Sequence, residues 1–367
     1  MNNKKLSILG IRGIPAQHGG FETFAEKFAL YLVKKGWSVT VYCQQLGDGE
    51  IYQDSWLGID RVHIPVKQEG SLGSLLFDLK SILHTRRLDG KKLTLGYNTA
   101  IFNVILRLSG HINFINMDGL EWRREKWSLP VKIWLYINER LGCLIGNHLV
   151  ADHPVIEDHL ATRVSRKKIT MIPYGATAIE SANLAVLEKY NLLPNQFVIV
   201  IAIPRPENLI LEIVKGFCQQ PRSEKLVLLG HYDPDSNDYH RKIINAANSD
   251  VLFLGAIYDK EITDALRFYC KIYVHGHTVG GTNPSLVEAL GASSAILAHD
   301  NHFNRWVTDN QSEYFRDSED CGAKFTDLLS DEGKIMRLKK ASRMRFEEGF
   351  IMDDISRRYE DLILNLP

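Results

Sequence analysis

Short apolar runs alternate with helical stretches along nearly all of the 367 residues, and this alternation most constrains how the chain can fold. Runs such as Leu6–Leu9, Ser38–Tyr42 and Asn113–Met117 are too short for helices. Most of the runs also lack the polar alternation of a strand with one solvated face, which is typical of strands buried on both faces. Strands that alternate with helices predict an α/β fold with mainly parallel sheets.

The clearest helical pattern runs from Phe21 to Lys35, and Gly36 ends it. Its apolar residues form one stripe at i, i+3, i+4, i+7, i+8 and i+11: Phe21, Phe24, Ala25, Phe28, Ala29 and Leu32. A turn-rich segment follows Gly175, and the series of strands restarts near Phe197. The pattern therefore predicts two Rossmann-like domains, residues 1–178 and 190–349, as expected for this length.

Charge and cysteine usage narrow the class of protein. The formal net charge is zero, which argues against a protein that coats nucleic acid. Residues 1–175 nevertheless carry a net charge of +7 and residues 176–367 a net charge of −7. The five cysteines are widely spaced, which indicates neither a disulfide framework nor a zinc site. We expect a cytoplasmic protein without a membrane span, and a peripheral contact with the inner face of the membrane remains open.

Two glycine clusters precede predicted helices. The first runs from Gly10 to Glu22, and Gly19 and Gly20 directly precede the helix. Backbone N–H groups at such a point can approach an anion or a sugar, and we expect Gly19 and Gly20 to contact such a ligand; the alternative is a glycine loop that serves only packing. The spacing is not GxGxxG and the second strand ends at Gln44-Gln45 without an acidic residue, which argues against an NAD site.

The second cluster leads into a helix predicted to start near Pro284. We expect N–H groups of this cluster to bind a phosphate at the helix N-terminus. Glu288 lies one turn into the helix, where its carboxylate could accept hydrogen bonds from a ribose diol or merely suit the helix dipole. The other residues that the pattern assigns to this site are Gly281, Thr282, Asn283 and Ser285.

Four motifs resemble a known family. They are the Gly10–Glu22 segment, the DGLEW block from Asp118 to Trp127, Pro206-Glu207-Asn208, and the block from His275 to Ala289. Together they resemble the bacterial rhamnosyltransferase-like branch of the GT-B glycosyltransferases of family 4. The resemblance implies a GT-B fold, in which two Rossmann-like domains face each other across a cleft and a C-terminal helix, here 350–367, crosses back to the first domain.

The resemblance also implies a function. A retaining enzyme of this kind would move a hexosyl unit, here L-rhamnose from dTDP-rhamnose, onto a cell-surface polysaccharide or a lipid-linked acceptor. The second domain would hold the nucleotide-sugar and the first domain the acceptor. Helix N-termini and basic side chains would neutralise the diphosphate, so we expect no cofactor and no metal.

The sequence departs from the family pattern at two points. Glu288 matches the second glutamate of the E-x7-E motif, but the first falls on Gly280. The usual arginine after the first strand of the second domain falls on Ile203, and the usual lysine falls near Asn208. We expect Arg205 to reach the diphosphate instead, with His277 near the same site. The departures leave an alternative open, a weak or inactive nucleotide-sugar-binding protein that acts as sensor or scaffold in polysaccharide assembly.

Two carboxylates follow the strand Asn113–Met117. Asp118 and Glu121 are candidates to orient the acceptor hydroxyl or to take its proton, although Asp118 could equally shape a turn. Residues 122–136 mix tryptophans with lysines and arginines. This mixture suits a peripheral contact with an anionic membrane, and the alternative is a helix with packed aromatics and solvated charges. No nucleic-acid motif accompanies it.

Overall fold

The computed structural model describes residues 4–17 and 19–366. The strands are β1 Lys5–Leu9, β2 Ser38–Leu46, β3 Tyr52–Trp56, β4 Ile59–Val66, β5 Lys91–Leu95, β6 Asn113–Asn116, β7 His148–Ala151, β8 Ile169–Met171, β9 Phe197–Ile201, β10 Lys225–Leu229, β11 Val251–Gly255, β12 Ile272–His275, β13 Ile296–His299 and β14 Glu313–Phe315. The helices are α1 Gly20–Lys34, α2 Gly70–Thr85, α3 Asn103–Leu108, α4 Leu129–Ile145, α5 Pro154–Ala161, α6 Ala185–Glu188, α7 Ile210–Phe217, α8 Asp238–Ala246, α9 Lys260–Tyr269, α10 Pro284–Gly291, α11 His302–Val307, α12 Ser318–Ser330, α13 Glu332–Gly349 and α14 Met352–Asn365.

The chain divides into two compact units. The first contains the residues up to Tyr174 together with those from Met352 onward, and the second runs from Gly175 to Ile351. Each unit is built on its own largely parallel sheet with helices packed against it, so the predicted α/β class is confirmed.

The first unit has an eight-stranded sheet in the order β3-β4-β2-β1-β5-β6-β7-β8. Its strands are parallel except β3, which forms an antiparallel hairpin with β4. The predicted stripe of α1 packs on this sheet, with Phe24, Phe28 and Leu32 among its buried members. The carboxyl ends of β1, β5, β6 and β7 are consecutive along one edge, as parallel pairing requires.

The last helix, α14, completes the core of the first unit. The Tyr359 ring lies 4.8 Å from the ring of Phe24 and 5.5 Å from that of Phe28, centroid to centroid. The Glu360 carboxylate accepts hydrogen bonds from Trp37 Nε1 at 2.8 Å and from the Tyr31 hydroxyl at 3.1 Å. The chain therefore returns to its first unit after building the second.

The second unit has a six-stranded parallel sheet in the order β11-β10-β9-β12-β13-β14. Apolar strand residues such as Val198, Val200 and Leu228 pack against α7 and α12. The neighbouring strands β9 and β12 both end in loops at the same edge. This edge holds the segments in which the sequence predicts a donor site.

Candidate functional site

Two loops of the second unit lie side by side because β9 and β12 are parallel neighbours. The loop 202–209 carries Arg205 and Asn208, and the loop 276–283 carries His277 and the glycine cluster. Open α/β sheets bind their ligands beyond the carboxyl ends of the strands. This pair of loops is therefore the candidate donor site.

The side chains of Asn208 and His277 join the two loops. His277 Nδ1 lies 2.6 Å from Asn208 Oδ1, while Asn208 Nδ2 donates to the carbonyl of Ile203 at 2.8 Å. Since the amide nitrogen faces Ile203 and the amide oxygen faces the ring, this network assigns the proton to His277 Nδ1. In a neutral ring with that proton, Nε2 is the acceptor atom. A Cβ placed on Gly280 would lie 3.5 Å from Nε2, so this nitrogen faces the glycine loop.

Two further hydrogen bonds hold the backbone of His277 in place. Its carbonyl accepts hydrogen bonds from Nδ2 of Asn301 and Nδ2 of Asn304, each at 3.0 Å. A Cβ on Gly276 would come within 2.1 Å of the Asn208 carbonyl oxygen, so only glycine permits this approach of the two loops. The sequence reasoning missed both asparagines, which lie at the start of α11.

The backbone of the glycine cluster runs into the N-terminus of α10. Asn283 caps the helix, because its side chain accepts from the Ser285 N–H at 3.0 Å. The Ser285 hydroxyl lies 2.5 Å from the Tyr273 hydroxyl and donates to the Ile201 carbonyl at 3.2 Å. Ser285 is thus engaged within the fold. The ligand-facing part of the predicted phosphate site is reduced to the backbone from Gly281 to Asn283.

Glu288 is ion-paired on the next turn of α10. Its Oε2 lies 2.6 Å from Nη2 of Arg267, a residue of α9 whose side chain is only 7% exposed. The Glu288 side chain is 32% exposed. The pair leaves Oε1 to accept hydrogen bonds from a diol. Sequence reasoning missed Arg267, since nothing in its local pattern distinguishes it from a surface arginine of α9.

Gly280 has a backbone conformation that explains why no glutamate stands there. Its φ is +111°, a region that residues with a Cβ rarely adopt. A glutamate at this position would therefore require a different loop. The first carboxylate of the E-x7-E pattern is replaced here by a glycine turn against the His277 ring.

Arg205 lies on the loop after β9 and is half-buried. In the part of the chain that the structure describes, its guanidinium has no hydrogen-bond or ion-pair partner. A half-buried guanidinium gains most from an anionic ligand, because it has already lost part of its hydration. Its role at a diphosphate stays a prediction.

His275 lies behind the site, within the core. Burial, and then the neighbouring His277 and His299, lower the pKa of its imidazole well below the ordinary value, so the ring stays neutral. Its Nε2 has no hydrogen-bond partner within the described residues. Of the two alternating histidines, His277 therefore lines the glycine loop and His275 packs beneath it.

In the first unit, Asp118 follows β6 at the edge where the carboxyl ends meet. Its φ is +51°, and its N–H donates to Asn116 Oδ1 at 2.9 Å while its own Oδ1 accepts from Gly119 N–H at 2.8 Å. Burial, and then Glu121, raise the pKa of its carboxyl to about 6. A carboxyl group that titrates near neutral pH can act in proton transfer. Backbone strain of this kind clusters at functional sites.

Glu121 holds the loop that follows Asp118. Its carboxylate is ion-paired with Arg124 and with Lys126 Nζ at 3.2 Å, and it accepts from Trp127 Nε1 at 3.1 Å. Burial alone would raise the pKa of Glu121, but these cations and hydrogen bonds lower it. Glu121 therefore supports the Asp118 turn as a carboxylate that its cationic neighbours stabilise. A proton acceptor at this edge would be Asp118.

The first glycine cluster is held by carboxylates of α1. The Arg12 N–H donates to Glu22 Oε1 at 3.2 Å and the Ala16 N–H to Glu26 Oε2 at 2.6 Å. Gly19 has a φ of +85°, and a Cβ there would lie 2.5 Å from Glu22 Oε2. The carboxylate occupies the side on which Gly19 and Gly20 would meet an anion, so this loop suits hydroxyl groups better than a phosphate.

Asp78 of α2 is a carboxyl group that the sequence did not indicate. Its Oδ2 accepts from the Thr99 hydroxyl at 2.7 Å, and burial raises its pKa to about 6 although the hydrogen bond from Thr99 and the charge of Arg12 oppose this. Arg12 Nη2 also donates to Ser74 Oγ at 3.3 Å, one helical turn before Asp78. These groups lie near the carboxyl ends of β1 and β5 and extend the polar edge around Asp118.

The basic and aromatic segment 122–136 is largely tied to the fold. Trp122 Nε1 donates to Glu139 Oε2 at 2.5 Å, and Trp134 Nε1 donates to the Asn98 carbonyl at 2.9 Å. No helix within residues 4–17 and 19–366 is long and apolar enough to cross a membrane. The same residues contain no group of three or more His, Cys, Asp or Glu side chains placed to hold a metal ion.

Comparison with known proteins identifies the fold of the chain. Residues 3–177 match a family model described as a domain of unknown function, DUF1972. None of the curated proteins matches the sequence. Sucrose-phosphate synthase from Thermosynechococcus elongatus is similar in structure over 98% of both chains, with a TM-score of 0.80 and 16% identity.

Two further structures agree over the full length. HepE from Anabaena, in complex with UDP and glucose, has a TM-score of 0.77 and 14% identity over all of both chains. An α,α-trehalose-phosphate synthase from Burkholderia xenovorans has a TM-score of 0.75 and 11% identity over 98% of this chain and all of its own. These relatives are GT-B proteins, so the predicted GT-B fold is confirmed.

Proposed function

We propose that this protein is a retaining glycosyltransferase that moves a hexosyl unit from a nucleotide-sugar to an acceptor. The observation that carries the proposal is the partnerless, half-buried guanidinium of Arg205 beside the fixed Asn208–His277 pair. These groups lie beyond the carboxyl ends of β9 and β12, where a GT-B fold offers a ligand site. The GT-B neighbours, among them a protein with bound UDP and glucose, support a nucleotide-sugar as the donor.

The leaving diphosphate would bind at Arg205 and at the backbone from Gly281 to Asn283. Charge develops on the diphosphate as its bond to the anomeric carbon breaks, and a fixed cation and helix N-terminus stabilise that charge without reorganising. Glu288 Oε1 would accept hydrogen bonds from the ribose hydroxyls. His277 Nε2 would accept one from a hydroxyl of the transferred sugar. No metal or other cofactor is part of this proposal.

The first unit would hold the acceptor hydroxyl at Asp118, which orients it or takes its proton. The motifs favour L-rhamnose from dTDP-rhamnose as donor and a cell-surface polysaccharide or its lipid-linked precursor as acceptor. Such an acceptor would place the protein in the cytoplasm, in peripheral contact with the inner face of the membrane.

A donor screen tests the proposal. The purified chain is incubated with dTDP- and UDP-linked sugars, with and without membrane extract, and nucleotide release and sugar transfer are followed. Arg205→Ala should lower kcat/KM by about 10- to 100-fold, the value of a charge-assisted hydrogen bond. Arg241→Ala is the matched control, since Arg241 lies in the same unit and pairs with the exposed Asp238. Absence of transfer from every donor would refute the proposal.

The loss of the first motif glutamate favours a second candidate function. With Gly280 in place of a carboxylate, the site could bind a nucleotide-sugar without turnover and serve as a sensor or scaffold in polysaccharide assembly. Calorimetry with dTDP separates the two functions. Binding that depends on Arg205, together with an absence of transfer from any donor, would support the sensor.

A further inference from the structure

One face of α4 exposes apolar side chains from its first turn to its last. Leu129 is 71% exposed, Ile133 52% and Leu144 68%, and Tyr136 and Ile137 are also exposed. Successive residues of a helix are about 100° apart, which places all five on one side. At about 1.5 Å per residue, this helix of 17 residues carries a stripe about 25 Å long. We call these five residues the α4 stripe.

The opposite side of α4 explains why the stripe is a separate surface. Leu135, Asn138, Gly142 and Cys143 are buried there against the rest of the first unit. The helix therefore also carries apolar side chains on the side that does not contact the core. Proteins rarely expose this many apolar side chains on one face of a helix unless that face contacts a partner.

The charged groups around the stripe are basic. Lys132 and Arg140 lie on α4 itself, and the Arg140 guanidinium stacks 5.2 Å from the centroid of the Tyr136 ring. At the end of the helix, Lys168 Nζ donates to the carbonyls of Cys143 and Leu144 at 2.6 and 3.1 Å. Lys132 lies at the edge of the stripe, Arg140 lies within it between Tyr136 and Leu144, and Lys168 lies at its end.

Two acidic residues near the stripe, Glu139 and Glu121, do not offset this charge. Glu139 is buried, accepts from Trp122 Nε1, lies 3.0 Å from His159 Nε2 and ion-pairs with Arg163 at 3.4 Å. Burial alone would raise the pKa of Glu139, but these partners lower it, so its charge is neutralised within the fold. Glu121 is likewise buried within its own ion pairs.

We propose that the α4 stripe lies in the surface of a lipid bilayer with anionic headgroups. An in-plane helix with an apolar face and basic side chains beside and within that face has the physical properties of an interfacial helix. A second copy of the chain fits less well, because symmetric pairing of α4 with α4 would bring like-charged Lys132 and Arg140 together. The positive charge of these side chains thus favours an anionic surface.

The contact differs from the one that the sequence suggested. The indole nitrogens of Trp122, Trp127 and Trp134 are bonded to Glu139, Glu121 and the Asn98 carbonyl. The membrane-facing groups are instead the exposed apolar residues of α4, of which Leu129, Ile133 and Tyr136 lie within the segment 122–136. This inference rests on the proposed function only for the purpose of the membrane contact, which would be access to a lipid-linked acceptor. The experiment that tests the contact requires no sugar transfer.

The test is flotation of the full chain with vesicles. Vesicles of phosphatidylcholine with about one third phosphatidylglycerol should carry the protein, and pure phosphatidylcholine vesicles should carry much less. Ile133→Ser with Leu144→Ser should lower the partition coefficient by at least about tenfold, because two apolar side chains no longer enter the interface. Lys132→Gln with Arg140→Gln should abolish most of the preference for phosphatidylglycerol and its sensitivity to salt.

A matched control uses exposed leucines elsewhere in the same unit. Leu72→Ser with Leu83→Ser alters two exposed positions of α2 and should leave vesicle binding unchanged. Circular dichroism melting of each variant verifies that it is folded. Wild-type protein that ignores anionic vesicles, or a stripe variant that binds as wild type, would overturn the inference. So would sedimentation of the wild type as a dimer that the stripe variant loses, because the stripe would then face a second copy.

Discussion

At the scale of single residues, Asp118 is the group whose titration we expect to govern activity near neutral pH. Its carboxyl pKa is raised to about 6, so the carboxylate forms as pH rises through that value. Transfer should increase between about pH 5 and pH 7, and Asp118→Asn should flatten this rise and lower kcat by about a hundredfold. Asparagine tolerates a φ of +51° and keeps an oxygen for the Gly119 N–H. Steady-state rates across this range measure the effect; an unchanged midpoint in the variant would exclude Asp118.

Asp118→Asn should lower activity, but it should raise the stability of the fold at high pH. A carboxyl pKa raised in the folded state favours folding below the ordinary pKa of about 4, and this contribution is lost as pH rises through about 6. Asp118→Asn should therefore melt near the wild type at pH 4 and be more stable at pH 8, by on the order of 2 kcal/mol. Thermal melts at both pH values measure the difference. A gap independent of pH would contradict the raised pKa.

Glu288 requires a substitution that respects its ion pair with Arg267. Glu288→Ala leaves the buried guanidinium without its nearest carboxylate, since Asp264 lies 3.9 Å away, and should cost about 2 kcal/mol of stability. Glu288→Gln keeps an oxygen for Arg267 and should melt closer to the wild type. It should nevertheless weaken dTDP binding by about tenfold, because the ribose hydroxyls lose a charged acceptor. Calorimetry and melting of both variants separate the roles; wild-type dTDP affinity in Glu288→Gln would remove Glu288 from the site.

At the scale of elements, the approach of the loops after β9 and β12 depends on Gly276. A Cβ there meets the Asn208 carbonyl oxygen at 2.1 Å, so Gly276→Ala must push the loops apart and separate His277 from Asn208. We expect a loss of about 1–3 kcal/mol and a weaker dTDP affinity. Gly349→Ala is the control, since its nearest neighbour would be 3.8 Å away. If both variants behaved alike in melting and in calorimetry, the close approach would have no role in binding.

The elements that the sequence predicted are those with strong periodicity or burial. The stripe of α1 is visible because five of its members are buried in one core. The hairpin strand β3 was missed because most of it is exposed and its turn is Leu57-Gly58, in which the leucine adopts a positive φ of 50°. Leucine carries no turn signal, although the geometry is that of a tight hairpin. The three-residue strand β14 is too short for any pattern.

The candidate site was predictable only where motifs mark it. Arg205, His277 and the glycine cluster follow strands, and strand ends can be located from the sequence. Partners from distant elements could not be predicted from the sequence. An ion pair such as Arg267–Glu288 or a hydrogen bond such as Asp78–Thr99 depends on how the helices pack. Sequence alone also gave Ser285 and Glu121 the roles of ligand-facing groups, whereas their neighbours engage them within the fold.

At the scale of the whole molecule, the packing of α14 in the first unit changes the net charge of each unit. This helix carries Arg357 and Arg358 against four acidic residues. Assigned to the first unit, it lowers that unit's net charge to +5, and the second unit then carries −5. Donor binding in a negatively charged unit must rest on local groups such as Arg205. The first unit remains positive, as a contact with anionic lipid requires.

Deletion of α14 should unfold one unit and spare the other. Met352, Ile355, Tyr359 and Ile363 are buried in the first unit, and burial of each contributes about 2 kcal/mol, a total comparable with the whole stability of a domain. A chain ending at Ile351 should therefore show rapid proteolysis of residues before Tyr174, while a fragment close to 175–351 resists. Tyr359→Phe, which removes only the hydroxyl that accepts from Asn116 Nδ2, should cost about 1 kcal/mol and leave both units folded. Equal resistance of both units in the shortened chain would show that the first core is complete without α14.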